Sequence, residues 1–388
     1  MNSRKIKIGG FDHVKAVTLG GDSPVVIQTM WKDRLSFSDI DAAVKRIEGL
    51  AQMGCGLLRF AVPDIESAEV LGALAKQVSM PLVADIHFDH KIALRCMDFP
   101  IAKIRINPGN IGGKEKVKAV LDKAGEKGVA IRIGVNAGSL PQDLRTQTRA
   151  EALVEAAKRE LAIFDEFGFT NVVVSMKASN LADTIKANRL FANGSDTEPL
   201  FPVPCSPLPT PHSPLPTPCT PLHIGVTEAG PLIAGVTRNT SALVFLLVEG
   251  IGDTLRVSLS DSMENEVIAG REILCASAEM AVSHSGLPET AERLKRAGVT
   301  VISCPRCGRH GFDTHAFCDR WLNRLYALDR TMTVAIMGCE VNGPEEARHA
   351  DIGITGAGDK VLIFRHGKIV RTVTQAEADK AFEEELTK

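Results

Sequence analysis

The stretch KIRINPGNIGGKEKVKAVLDKAGEKGVAIRIGVN, residues 103–136, predicts one complete strand-helix-strand unit. Its two ends are β-branched runs, KIRIN (103–107) and AIRIGVN (130–136). Between them, Lys114–Lys127 carries apolar residues at helical spacing. Strands joined by a crossover helix run parallel to each other. This stretch therefore predicts one βαβ unit of a parallel sheet.

The same alternation of strand and helix patterns extends on both sides of this unit. The other strand-like runs are VVIQT (25–29), LLRFAV (57–62), PLVADI (81–86), NVVVSMK (171–177), LHIGVTE (222–228) and TLRVSLS (254–260). With KIRIN and AIRIGVN they make eight, and 39–53 is another amphipathic helical stretch between them. Eight strands with intervening helices favour an α/β fold of the (β/α)8 TIM-like barrel type over an open sheet.

A second, smaller pattern follows a long predicted helix at 264–280. It comprises VTVISC (299–304), a helix near 313–327, TVAIMGC (333–339), a strand near 350–354, the hairpin VLIFRHGKIV (361–370) and a terminal helix at 375–386. About a hundred residues can support a core of their own. We therefore expect a barrel domain at 1–283 and a small α+β domain at 284–388.

A proline-rich segment at 193–221 interrupts the barrel pattern. It contains SPLPTPH (206–212) followed directly by SPLPTPC (213–219), which is a tandem repeat. Proline disfavours helices and central strands, so we expect an extended, low-complexity loop insertion. The spacing of Cys205, His212 and Cys219 follows from the duplication and does not predict a metal site.

The composition is that of an ordinary globular protein and limits the classes of partner. Of 388 residues, 44% are hydrophobic and 24% charged, and the net charge is -2. This charge gives no general attraction to nucleic acid or to an anionic membrane. The longest apolar run, 242–248, is too short to span a bilayer. Nine cysteines in a long chain favour reduced thiols with some metal ligation, so we expect a cytoplasmic protein with a small-molecule partner.

Five cationic side chains are embedded in the apolar strand patterns. They are Arg59, Arg105, Arg132, Lys177 and Arg256. Arginine is rarely buried unless it is paired, so several arginines aimed into one barrel mouth predict an anionic ligand. Guanidinium groups suit diphosphate oxygens in particular. The alternative is salt bridging to carboxylates such as Asp85 and Glu228.

Three polar residues follow barrel strands at their C-terminal ends, where barrels place their chemistry. They are Asp85, His87 and Glu228, which are candidates for orienting or protonating a substrate hydroxyl.

Three cysteines in the C-terminal part predict a metal centre. Cys304 and Cys307 form a Cys-x₂-Cys pair in CPRCG (304–308), and Cys339 follows another strand in MGCEVNGPEEA. Such thiolates suit an iron-sulfur cluster. With Cys318 they equally suit a four-cysteine zinc site, so the spacing leaves both open.

The chain resembles a known family, the bacterial 4-hydroxy-3-methylbut-2-enyl diphosphate synthases of non-mevalonate isoprenoid biosynthesis. The similarity covers most of the chain. Its motifs are VVIQTM, GCGLLRFAVPD, PLVADIHFD, AKIRINPGNIG, IRIGVNAGSL, VVVSMKASN, LHIGVTEAG, GIGDTLRVSLS, ISCPRCGR and MGCEVNGPEEARHADIGI. The resemblance implies a TIM-like barrel followed by an iron-sulfur domain. It also implies a two-electron reductive ring opening and dehydration of 2-C-methyl-D-erythritol 2,4-cyclodiphosphate.

The resemblance also implies roles for single residues. The implied ligands of a 4Fe-4S cluster are Cys304, Cys307, Cys339 and Glu346. The five cations are implied for the diphosphate, and the implied lining of the site is Asp85, His87, Asn107, Asn136, Glu228 and Ser258. Three features depart from the family pattern, namely Glu345 beside the ligand glutamate, WKD after the first strand, and the proline repeat.

Finally, the resemblance implies a homodimer with an active site shared between subunits, and a flavodoxin or ferredoxin as electron donor. Two other classes of protein remain alternatives at this stage. One is a pterin-synthase-like barrel enzyme, which also presents cations to a diphosphate. The other is a zinc-stabilised binding module.

Overall fold

The computed structural model describes residues 3–193, 220–283, 288–305 and 307–388. The chain forms two compact units, Met1–Arg296 and Ala297–Lys388. The first unit thus ends at Arg296 rather than at residue 283. The reason is that Arg293, on the helix Pro288–Leu294, forms a 2.8 Å ion pair with buried Asp253, and its carbonyl accepts from Val25 N at 3.1 Å. The predicted loop insertion at 193–221 lies, from 194 to 219, outside the described residues.

The first unit begins with an antiparallel hairpin, β1 (Ile6–Ile8) and β2 (Val17–Leu19). The strands that follow are β3 (Val26–Met30), β4 (Cys55–Ala61), β5 (Leu82–Asp85), β6 (Lys103–Ile106), β7 (Ala130–Asn136), β8 (Val172–Lys177), β9 (His223–Ile224) and β10 (Thr254–Leu255). The helices are α1 (Ile40–Gln52), α2 (Ile65–Ala75), α3 (His90–Cys96), α4 (Pro108–Ile111), α5 (Lys114–Lys127), α6 (Arg149–Glu166), α7 (Leu181–Asn193), α8 (Leu232–Val248), α9 (Met263–Ser283) and α10 (Pro288–Leu294).

The described residues form an eight-stranded parallel sheet in the order β8-β7-β6-β5-β4-β3-β10-β9. A parallel bridge between Val174 in β8 and Leu222, just before β9, joins the two edges. The predicted barrel is therefore confirmed. Strands β9 and β10 are only two residues long, shorter than predicted, because LHIGVTE and TLRVSLS leave the hydrogen-bonded ladder early to form the mouth.

The interior of the barrel is layered. The β1–β2 hairpin covers an apolar layer that includes Leu57, Val83 and Val173. Side chains two residues further along a strand point to the same side, one layer higher. This period places Arg59 and Asp85 directly above the apolar layer. The hairpin therefore closes the bottom of the barrel, and the charged residues face the open end.

The second unit is a mixed five-stranded sheet with two described helices. Its strands are β11 (Val299–Ser303), β12 (Met332–Met337), β13 (Ile352–Ala357), β14 (Lys360–Arg365) and β15 (Lys368–Thr374), and its helices are α11 (Thr314–Tyr326) and α12 (Ala378–Leu386). Phe317, Trp321 and Phe382 pack edge-to-face and stacked in its core. Its elements match the predicted α+β pattern. Among the described residues of both units, each helix is too short or too polar to span a bilayer.

Candidate active site and cysteine site

Charged residues are direct neighbours on three adjacent barrel strands. Asp85 in β5 is the register partner of Arg105 in β6, and Arg105 is the register partner of Arg132 in β7. Neighbouring strands lie about 4.8 Å apart. Two arginines in this arrangement repel each other, and like charges directly opposite destabilise a sheet. The barrel therefore holds positive charge in a position that its own packing does not favour.

Asp85 neutralises part of this charge. Its Oδ1 lies 3.2 Å from Arg105 Nη1, and its Oδ2 lies 3.5 Å from Arg59 Nε. The Arg59 contact is an ion pair without hydrogen-bond geometry, since Arg59 Nε is buried without an acceptor. Burial would raise the pKa of Asp85, but Arg59 and Arg105 outweigh it and lower the pKa below its usual value. Asp85 is therefore an ionised counter-ion at neutral pH and not a proton donor.

Arg132 keeps two buried donor nitrogens without an acceptor in the part of the chain that the structure describes. It is 2% exposed, and it donates to Ser175 Oγ at 2.5 Å. Its Nε and Nη2 are buried and have no hydrogen-bond partner among the described residues. Burial, followed by the charges of Arg59 and Arg105, holds the pKa of Arg132 well below its usual value. Buried donors without acceptors are costly, so their presence points to a ligand that accepts from them.

Lys177 and Arg256 complete the cluster. Lys177 is 8% exposed. Its Nζ approaches Gly225 so closely that a Cβ atom at that position would lie only 2.8 Å away. Burial, then the charges of Arg132 and Arg59, lower the pKa of Lys177 well below its usual value. Arg256 is held by Glu266, its Nη2 lying 3.0 Å from Oε1. All five predicted cations are thus brought into one electrostatic cluster.

Of the five cations, Arg105 also lines a cavity of about 500 Å³ at the barrel mouth. Among its lining residues are five of the predicted site residues, namely His87, Arg105, Asn107, Asn136 and Glu228. Glu228 has a positive φ of 54°. Non-glycine residues in this conformation are uncommon and concentrate at functional sites. The mouth therefore places a strained carboxylate in the same cavity as Arg105.

His87 and Asn107 are fixed by contacts near this mouth. Arg105 Nη1 lies 3.0 Å from His87 Nε2, which accepts from the guanidinium when the ring is neutral. Burial lowers the pKa of His87 by more than the charge of Asp85 raises it. The pKa is therefore below its usual value of 6.5, and the ring is neutral at pH 7. Asn107 Oδ1 accepts from Gly109 N at 3.1 Å and begins α4. Ser258, in contrast, is not among the residues that line the mouth.

The three predicted thiol ligands of the second unit also converge. Cys304, Cys307 and Cys339 line one cavity of about 160 Å³, together with Gly338 and His310. Gly338 N donates to Cys304 Sγ at 3.0 Å. Thiolates are the usual ligands of an iron-sulfur cluster, so this donor set fits one. No group of three or more His, Cys, Asp or Glu side chains among the described residues is close enough to hold a single metal ion.

Two further residues of the cysteine region lie outside this cavity. Glu346 ends a π-helical turn, Val341–Glu346, and is exposed. Cys318 packs against the core of the unit, and its Sγ lies 3.8 Å from Ser303 Oγ. Neither lines the cavity of the three cysteines. The structure therefore gathers the three thiols without the predicted fourth ligand and without the fourth cysteine of the zinc alternative.

Sequence reasoning missed several residues of the barrel site. Lys103 is fully buried and donates to Gln28 Oε1 at 3.1 Å. Its position two residues before Arg105 on the same strand face is a signal that could have found it. Arg149 lines the mouth from the start of α6. Glu266 gives no such signal, because an acidic residue in the first turn of a helix is ordinary.

Comparison with known proteins assigns the family. Residues 10–271 match the GcpE TIM-barrel domain, and residues 300–388 match the GcpE protein C-terminal domain. The chain belongs to the GcpE family. A family member from Treponema pallidum is 49% identical over 99% of this chain and 91% of its own length, and is named 4-hydroxy-3-methylbut-2-en-1-yl diphosphate synthase (flavodoxin). A Treponema denticola protein of the same name is 48% identical over 99% of this chain and 97% of its own length.

Solved barrels are more distant from this GcpE chain. A type I 3-dehydroquinate dehydratase from Clostridium difficile is 14% identical, with a TM-score of 0.46 over 72% of this chain and 99% of that chain. A dihydropteroate synthase from Coxiella burnetii is 9% identical, with a TM-score of 0.47 over the same shares. The family assignment rests on the sequence relatives and not on these structures.

A buried carboxyl group on α6 of this GcpE barrel makes its stability depend on pH. Burial raises the pKa of Glu160 on α6 from 4.5 to about 8, and its Oε2 has no hydrogen-bond partner among the described groups. Between these two values the unfolded chain is ionised while the folded chain keeps the proton. Stability therefore falls as the pH rises through this window.

We expect Glu160→Gln to increase the free energy of unfolding in urea more at pH 8 than at pH 5.5, because the amide needs no proton. Glu155→Gln, on the exposed face of the same helix, is the control and should show no such pH dependence. An equal effect of Glu160→Gln at both pH values would contradict a raised pKa.

Proposed function

We propose that this GcpE chain converts 2-C-methyl-D-erythritol 2,4-cyclodiphosphate into 4-hydroxy-3-methylbut-2-enyl diphosphate as an iron-sulfur oxidoreductase. The reaction takes up two electrons and two protons, breaks a ring C–O bond and releases water. The observation that carries the proposal is the buried excess of cations, with unsatisfied donors on Arg132, in a chain that also brings three thiols to one cavity. A pterin-synthase-like barrel enzyme would explain the cations but not the three thiols. A zinc-stabilised binding module would explain the thiols but not the cations.

The diphosphate is the part of the substrate that the cation cluster recognises. Arg132 offers two donor nitrogens, Nε and Nη2, without acceptors among the described residues, and charge-assisted hydrogen bonds to phosphate oxygens are stronger than neutral ones. Phosphate charge would also relieve the repulsion between Arg105 and Arg132. Binding of the anion thus stabilises an arrangement that the empty barrel holds at a cost.

The polar residues of the mouth orient the rest of the substrate. Asp85 stays ionised and fixes Arg59 and Arg105, while neutral His87 lines the mouth cavity beside Arg105. Glu228 is exposed at the mouth and is the carboxylate that can exchange a proton with the leaving oxygen. We assign Asp85 and His87 to positioning and Glu228 to proton transfer.

The second unit is assigned to electron transfer. Cys304, Cys307 and Cys339 would hold a 4Fe-4S cluster, with Glu346 as the fourth ligand by family pattern. When bound, the cluster supplies the electrons for the reaction. The relatives' names include flavodoxin, which supports a flavodoxin as the donor, with a ferredoxin as the other candidate of this class.

Replacement of Arg132 separates ligand binding from stability. Arg132→Met keeps the side-chain volume but removes the charge, so we expect the dissociation constant of the cyclic diphosphate to rise about ten- to a hundredfold. The unliganded protein should be no less stable, because an unpaired buried cation has been removed. Calorimetric titration and urea unfolding measure the two effects.

Arg159→Met is the matched control, since this arginine lies on the outer surface of α6 and is paired with Asp143 and Glu155. It should bind the substrate as the unmodified chain does. Unchanged binding together with lower stability in Arg132→Met would show that Arg132 is a structural residue.

Replacement of single cysteines tests the cluster assignment. In anaerobically purified protein, Cys339→Ser should lose iron, sulfide and the broad visible absorbance together with activity, because one of the three thiolate ligands is removed. Cys318→Ser should keep all four. Stoichiometric zinc in the unmodified chain, or equal metal loss in Cys318→Ser, would support the four-cysteine zinc site instead.

The fourth ligand is tested by a pair of neighbouring variants. Glu346→Gln should reduce the iron content and alter the visible spectrum, whereas Glu345→Gln should not. The reverse result would move the ligand by one residue.

We further propose that the chain acts as a homodimer in which each active site combines the barrel of one subunit with the cysteines of the other. Two-fold symmetry would then give two complete sites. Mixed dimers of an Arg132→Met chain and a Cys339→Ser chain would contain one site with both defects and one with neither. Isolated mixed dimers should therefore recover about half of the unmodified activity. Inactive mixed dimers would show that each subunit uses its own cysteines.

A further inference from the structure

Glu266 is a buried carboxylate that joins four other residues of the barrel. It lies in the first turn of α9, and its residue is 1% exposed. Its Oε2 accepts from Thr29 Oγ1 at 2.5 Å and from Arg256 Nε at 3.2 Å. Its Oε1 accepts from Lys32 Nζ at 2.8 Å, from Leu259 N at 3.0 Å and from Arg256 Nη2 at 3.0 Å. Glu266 therefore links β3 to the segment that follows β10.

All the groups around this carboxylate act as donors. Arginine, lysine and backbone N–H groups have no acceptor to offer, and the Thr29 hydroxyl already donates to Oε2. A glutamine amide at position 266 would turn one NH₂ group toward a donor. The site therefore requires a group that only accepts, which is an ionised carboxylate.

The bidentate contact determines the direction of the Arg256 guanidinium. With Nε and Nη2 directed to Glu266, Nη1 is left without a hydrogen-bond partner among the described residues. The charge of Arg256 acts on Arg59, Arg132 and Lys177, so it belongs to the cation cluster. Arg256 N donates to Ile224 O at 3.1 Å, which ties the backbone to β9, whereas Glu266 is the group that fixes the direction of the side chain.

Lys32 prevents the group around Glu266 from being electrically neutral. A single carboxylate bound only to Arg256 would leave no net charge, but Lys32 adds a second cation and also donates to Leu259 O at 2.6 Å. The Glu266 group thus retains one positive charge, as does the group of Asp85 with Arg59 and Arg105. Each carboxylate orients cations without removing the attraction for an anion.

We propose that Glu266 is a positioning residue for substrate binding, which orients Arg256 so that its free Nη1 edge meets a phosphate group. This inference rests on the proposed function, because it assumes that Arg256 contacts the diphosphate. The direction of the effect is diagnostic. Loss of a negative charge near an anion site would by itself tighten binding, whereas loss of orientation weakens it.

The test is a double-mutant cycle on the holoenzyme, with Kd for inorganic pyrophosphate and KM and kcat for the cyclic diphosphate as readouts. Glu266→Gln should raise Kd and KM about tenfold. It should change kcat little, because the phosphate contact is the same in the ground state and the transition state. In an Arg256→Ala background, Glu266→Gln should have no further effect on Kd.

Glu264 provides the matched control. It lies two residues earlier on α9 and forms the same bidentate contact with Arg46, at 2.9 and 3.1 Å, on the outside of the barrel. Glu264→Gln should leave Kd and KM unchanged. Tighter pyrophosphate binding in Glu266→Gln, or an effect that adds fully to that of Arg256→Ala, would overturn the positioning role alone. Unchanged binding in Arg256→Ala itself would instead remove Arg256 from the proposed substrate site, and the positioning role with it.

Discussion

Repulsion between Arg105 and Arg132, which are register partners on adjacent strands, is the constraint around which the barrel is organised. Both side chains lie in the interior, where water cannot screen their charges. The layer beneath them holds apolar side chains and Lys103, which is itself a cation, and is closed by the β1–β2 hairpin, so it offers no counter-charge. Neutralisation must therefore come from the same layer, as it does through Asp85, or from a ligand that enters at the mouth.

The fold was largely predictable because most of its strands are short β-branched runs that are separated by helical patterns. KIRIN and AIRIGVN became β6 and β7 with nearly the predicted bounds. LHIGVTE and TLRVSLS show the same pattern but give strands of two residues. Local pattern does not reveal that the chain must turn away here to place Glu228 and Arg256. The extent of the first unit was likewise set by a long-range ion pair, Arg293 to Asp253.

The candidate site was predictable where strand periodicity controls direction and not where tertiary contacts do. The five cations lie on strands or directly after them, so their common location followed from sequence. Glu266 reaches the cluster from a helix, and its four partners come from two separate segments, 29–32 and 256–259. The family pattern also implied Ser258, which stays a prediction, because neither it nor four of the five cations line the mouth cavity.

The number of carboxylates among these cations reflects two opposed requirements. If every cation had its own carboxylate, the cluster would be neutral and would not attract a diphosphate. If none had one, each unpaired buried charge would cost several kcal/mol. Together these costs would be about as large as the stability of a whole domain. Within the described residues, Asp85 and Glu266 each serve two cations, and Arg132 has only the Ser175 hydroxyl. Buried donors without acceptors in the described part of the chain therefore remain at Arg132, beside Arg105, where phosphate oxygens would relieve the repulsion between the two guanidinium groups.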